Sequence, residues 1–127
     1  MSSHLLVALF LSTLLILLIP LHSEASANMM PGGMNPEEKV GDEDVQEIAH
    51  QVKEELGRRS NGEFKEFKVV KYTTQVVAGT NYFMKIKVGP EEFIHARVFV
   101  PLPFQNAPPE VSGVQTGKAE GDKIEYF

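Results

Sequence analysis

Past position 27, His50, His95, Ser60 and Ser112 are the residues to test first for acid–base, nucleophilic or metal chemistry. Their types would serve a hydrolase triad or a zinc site, but their spacing serves neither. No second histidine stands at ligand spacing from His50 or His95, and the chain has no cysteine. Cysteine nucleophiles, thiolate-held zinc and iron–sulfur clusters are therefore excluded. Ser60 and Ser112 lie in turn-like sequence without the strand–turn–helix setting of a nucleophile elbow. Gly32-Gly33 follows no strand, so it does not read as a phosphate loop. His4 and His22 lie in an apolar leader. No enzyme and no cofactor are expected.

The remaining chemistry is apolar recognition. Three segments put hydrophobic residues where a turn should be polar. They are Met29-Met30-Pro31-Gly32-Gly33, Gln75-Val76-Val77-Ala78-Gly79, and Pro101-Leu102-Pro103-Phe104. Contiguous exposed apolar surface marks an interaction site, and loops on a rigid sheet are where recognition residues sit. These three runs are the candidate site, provided the fold brings them together.

The elements that must position them follow from periodicity. Residues 42–59, "DEDVQEIAHQVKEELGRR", read as one amphipathic helix with Val45, Ile48, Ala49, Val52 and Leu56 on one face. Asp42, Glu43 and Asp44 suit its start, and Arg58 and Arg59 its end. Glu54–Arg58 and Glu55–Arg59 are i,i+4 pairs. In "FKEFKVVKYTTQVV", Phe67, Val69 and Thr73 share a face. Phe83, Lys85 and Lys87 then alternate with Met84, Ile86 and Val88, and Ile94, Ala96, Val98 and Val100 with Phe93, His95, Arg97 and Phe99. "KIEYF" at the C-terminus is the candidate fourth strand. Residues 28–41 hold three Gly and two Pro and read as an extended lead-in, not a packed element. Short links make neighbouring strands antiparallel, and the apolar helix face needs a sheet to cover it. The expected fold is α+β, an antiparallel β-sheet wrapped around one α-helix. In such a meander the two apolar hairpins point to one end of the sheet. The helix start would let the lead-in reach the same end.

The whole chain bounds this reading. It has 127 residues, 43% of them hydrophobic, and a formal net charge of −5. Beyond a leader there is room for one domain. A mildly acidic chain has no electrostatic reason to seek nucleic acid or an anionic membrane. The opening run from Leu5 to Leu21 is apolar but interrupted by Ser12, Thr13 and Pro20, short of the ~20 residues a spanning helix needs. Ala25-Ser26-Ala27 then fits an A-x-A cleavage site. A signal peptide over 1–27 and a mature domain over 28–127 are expected, hence secretion without stable membrane association.

"QVVAGTNYF" at 75–83, a glycine in the N-terminal segment and Leu102-Pro103 in the second hairpin, in that order, resemble the cystatin family. "VQEIAHQVKEEL", "HARVF" and the final Tyr126-Phe127 resemble its disulfide-free type 1 branch, the stefins. The resemblance covers residues 29–127. It implies a cystatin-like sheet around one helix and reversible, tight-binding inhibition of papain-like cysteine proteases of the cathepsin L, B, H or S type. It also implies the contacts: Gly32 and Gly33 in the trunk, Gln75, Val76, Val77, Ala78 and Gly79 in the first loop, and Leu102, Pro103 and Phe104 in the second. Two features depart from the stefin pattern. Stefins are usually cytoplasmic and carry no signal sequence, and Phe104 stands where they tend to have a small or polar residue. The resemblance further implies a monomer, with a domain-swapped dimer through the first hairpin as the alternative. A non-inhibitory binding or structural protein on the same scaffold is the alternative function.

Overall fold

The computed structural model describes residues 33–60 and 62–127. The expected leader and Gly32 lie outside them. Among the described residues no helix is long and apolar enough to cross a membrane.

The lead-in is more ordered than its glycines and prolines suggest. Met34 forms a bridge with Gln75, and β1 (Lys39–Val40) pairs with Tyr72 and Lys71. The local composition is poor for a strand, but the free edge of the neighbouring strand supplies donors and acceptors that the lead-in satisfies. At Gly41 the chain turns out of β1. A Cβ there would collide with the Val69 carbonyl, so only glycine allows the approach.

The expected single helix is two segments, α1 (Glu43–Gln51) and α2 (Lys53–Ser60). Asp42 caps α1 from outside, its Oδ1 accepting from the Val45 N–H at 2.9 Å. The break is one residue wide. Val52 leaves helical geometry (φ −112°, ψ 8°), and its N–H donates to the Ala49 carbonyl at 3.2 Å. Periodicity reports which face is buried and is blind to such a step, because Val45, Ala49, Val52 and Leu56 all stay buried across it. Arg58 and Arg59 both pair with Glu55, so the expected Glu54–Arg58 pair gives way to an i,i+3 contact.

Four long strands follow: β2 (Lys68–Val77), β3 (Gly79–Gly89), β4 (Glu92–Val100) and β5 (Glu110–Lys118). The sheet is antiparallel throughout in the order β1-β2-β3-β4-β5. One face packs on the helices through Val69, Tyr72, Met84, Ile86, Ile94, Ala96 and Val98. A register irregularity between Val69 and Lys71 corrects the alternation expected in β2. It moves Tyr72 onto the helix face with Val69 and turns Thr73 to the other face, opposite Phe83.

The last strand also differs from expectation. β5 is "EVSGVQTGK", while "KIEYF" is not a strand. Residues 119–127 instead run over the outer face of the sheet. Lys85 Nζ donates to the carbonyls of Glu120 and Asp122, and Arg97 Nη1 to the Phe127 carbonyl at 2.8 Å. The Phe83 ring lies 5.7 Å from Tyr126 and 5.9 Å from Phe127. Aromatic residues that look like strand formers serve here as cover for a second, smaller apolar layer.

Candidate functional site

The first hairpin is as tight as a hairpin can be. Val77 pairs with Gly79, which leaves Ala78 alone at the tip. Gly79 takes φ +136°, a conformation that L side chains rarely adopt. A Cβ on it would lie 2.6 Å from the Val100 carbonyl oxygen and 2.8 Å from the Phe99 ring. Gly79 is thus buried and serves the protein's own packing, while Val76 and Val77 remain 57% and 40% exposed. Gln75 is half-buried. Its Oε1 accepts from Asn81 Nδ2 at 2.9 Å across the base of the hairpin.

The second loop leaves β4 at Val100, opposite Thr80, and returns at Glu110, opposite Phe99. Within it Pro103–Gln105 forms a single 3-10 turn. The Gln105 N–H donates to the Leu102 carbonyl at 3.0 Å, and Gln105 Oε1 accepts from the Leu102 N–H at 3.2 Å. Asn106 closes the turn with φ +49°, tolerated because asparagine visits the left-handed region. Leu102 is 38% exposed and Phe104 77%, unusual for an aromatic residue in a turn held at both ends.

The lead-in completes the edge. Met34 sits against Gln75, so exposed Gly33 lies beside the first hairpin. The lead-in arrives as an edge strand along β2, not by way of the helix start, which lies near Tyr72. There Tyr72 Oη donates to Asp42 Oδ2 at 3.2 Å. The register therefore gathers Gly33, the first hairpin and the second loop at one end of the sheet. Gly32 lies outside the described residues.

Among the described residues, positions 33–34, 75–80 and 101–106 carry no titratable side chain. A cleft of ≈ 450 Å³ lies elsewhere, lined by Phe64, Val88, Phe93 and Ile94 beside the β3–β4 turn. Among the described residues no group of His, Cys, Asp and Glu could hold a metal ion. His50 is exposed and within 3.2 Å of Gln46 Nε2. His95 is fully buried, and neither ring nitrogen has a hydrogen-bond partner among the described residues. Burial, with help from Lys85 and Lys118, pushes its pKa down to about 4 against the opposing pull of Asp122 and Glu38. It is neutral at pH 7 and remote from the apolar edge. What the edge can do is bury Val, Leu and Phe side chains against a partner and present backbone groups to it.

Comparison with known proteins decides the family. Residues 32–121 match the cystatin domain model. The chain belongs to the cystatin family. It is 50% identical over 84 residues to cystatin-B of Pan troglodytes, covering 66% of this chain and 86% of that protein. It is 42% identical over 102 residues to cystatin-A1 of Sus scrofa (80% and 98%) and 41% identical over 99 residues to cystatin-A of Felis catus (78% and 100%). These relatives make it a stefin-like cystatin. The family consists of cysteine-protease inhibitors, not enzymes.

Sequence reasoning missed the residues that shape this cystatin's loops from within. Asn81 and Gln105 hold the two loops by side-chain bonds, and Phe99 and Val100 fill the space that Gly79 vacates. The polar pair Thr80-Asn81 directly after the first hairpin was the available signal.

Proposed function

We propose that this cystatin inhibits papain-like cysteine proteases of the cathepsin L, B, H or S type, reversibly and tightly. Gly32 and Gly33 form the trunk, Gln75 to Gly79 the first loop, and Leu102, Pro103 and Phe104 the second. The three enter the active-site cleft as a wedge and block access to the catalytic cysteine without being cut. One observation carries the reading: the sheet register holds exposed Val76, Val77, Leu102 and Phe104 at one end, beside Gly33. Loops fixed by their own hydrogen bonds lose little entropy on docking, so apolar burial turns into affinity.

Titrating papain with the protein tests this. The account expects competitive loss of activity at one inhibitor per enzyme, with the inhibitor still intact by mass spectrometry. Unchanged activity at micromolar excess contradicts it, and so does rapid cleavage within Gln75–Gly79. The binding form is a monomer. Strand exchange would have to open the tight turn at Ala78, so a dimer separated by size exclusion should not inhibit. Secretion after removal of residues 1–27 completes the proposal. Mass spectrometry should find Asn28 at the N-terminus of protein recovered from culture medium, whereas an intact leader on cytoplasmic protein would contradict it.

A further inference from the structure

The N-terminal lead-in is held to β2 by backbone bonds. The Asn35 N–H donates to the Thr74 carbonyl at 2.8 Å and the Gly41 N–H to the Val70 carbonyl at 3.0 Å. Thr73 Oγ1 adds a bond to the Asn35 carbonyl. One side-chain bond reaches it from the far end of the chain: the Ile124 N–H donates to Glu38 Oε2 at 2.9 Å. Ile124 is 1% exposed, so its N–H has no ready alternative in water. The segment around it is fixed to the sheet by buried Lys85, through Glu120 and Asp122, and by Arg97 through Phe127. A continuous set of bonds thus runs from the centre of β3, through the C-terminal segment, to Glu38, five residues after Gly33.

We infer that Glu38 is a positioning residue for the trunk: through Ile124 it ties the lead-in to the C-terminal strap and so sets how Gly33 approaches a protease. This rests on the wedge reading. A trunk anchored only by an edge pairing would fray, because terminal edge strands open at little cost. The carboxylate fixes it from the side, and a trunk held in its binding position has less order to lose on docking.

The test is a double-mutant cycle read by papain inhibition and by amide exchange. Glu38→Ala should raise the inhibition constant about tenfold, the scale of one hydrogen bond to a charged group. In a Gly32→Glu background, where the trunk no longer docks, the same change should alter it less than about twofold, since coupled residues are non-additive. Glu38→Gln keeps an acceptor oxygen without the charge and should recover most of the parental inhibition. Without protease, the Asn35 amide should exchange faster in Glu38→Ala than in the parent. Equal losses in both backgrounds would reveal a general structural role and overturn the inference, as would no loss in the parent or no rescue by glutamine. If the parent itself leaves papain active, the wedge reading fails and this inference with it. Amide exchange still reports whether Glu38 holds the lead-in.

Discussion

At Gly79 the backbone geometry and the space around it make the same demand. Its φ of +136° is costly for any other residue, and the Val100 carbonyl 2.6 Å from a would-be Cβ leaves no room. Gly79→Ala should therefore cost about 2 kcal/mol in strain and overpacking, seen as a melting temperature lower by about 10 °C. An unchanged melting curve would mean that glycine there serves only a partner. His95 makes the second prediction at this scale. Its folded-state pKa of about 4 lies below the unfolded value of 6.5, so the unfolded chain binds more protons between those limits. The stability due to neutral His95 is complete above pH 6.5 and is lost as pH falls to 4, by about 3 kcal/mol at most. His95→Leu should flatten the stability profile between pH 6.5 and 4 relative to the parent in denaturant titrations. Parallel profiles would show that His95 is not the group responsible.

At the scale of elements, Gln46 joins helix to sheet with one amide. Its Nε2 donates to the Phe67 carbonyl at 3.0 Å, and its Oε1 accepts from the Val69 N–H at 2.9 Å. Gln46→Ala should cost about 2 kcal/mol, since it leaves two half-buried backbone groups unpaired. Thermal unfolding within a degree of the parent would contradict that. The second loop carries the matching functional prediction. Phe104→Gly should weaken papain inhibition by about 1 kcal/mol or more through lost burial while leaving the melting temperature unchanged, because Phe104 is 77% exposed. An unchanged inhibition constant would remove Phe104 from the contact.

The elements also show how far the sequence could be read. The helix stripe and the β3–β4 hairpin were legible because apolar residues recur at a single period. β5 was not: Gly113 and Gly117 weaken its pattern, and as an edge strand it buries Val111 and Val114 only in part. β1 and the β2 irregularity depend on pairing with distant segments, which local composition does not encode. The apolar runs of the site stood out because they broke turn rules. Asn81, Gln105 and Glu38 did not, since their roles exist only once the loops and the C-terminal segment are folded.

At the scale of the whole molecule, both faces of the sheet are in use. The helices cover one, and residues 119–127 with Phe83 and Arg97 cover the other. A disulfide-free chain gains from two apolar layers what cross-links supply elsewhere. The rigidity that results is what an inhibitor needs at its working end. The central claim is that Gly33, the first hairpin and the second loop act together against one partner. NMR of the isotope-labelled protein with and without papain tests this most directly. The account predicts amide perturbations concentrated in 33–35, 75–81 and 101–106, with the β3–β4 turn at 89–92 unaffected. Perturbations centred on that turn, or confined to one of the three segments, would contradict it.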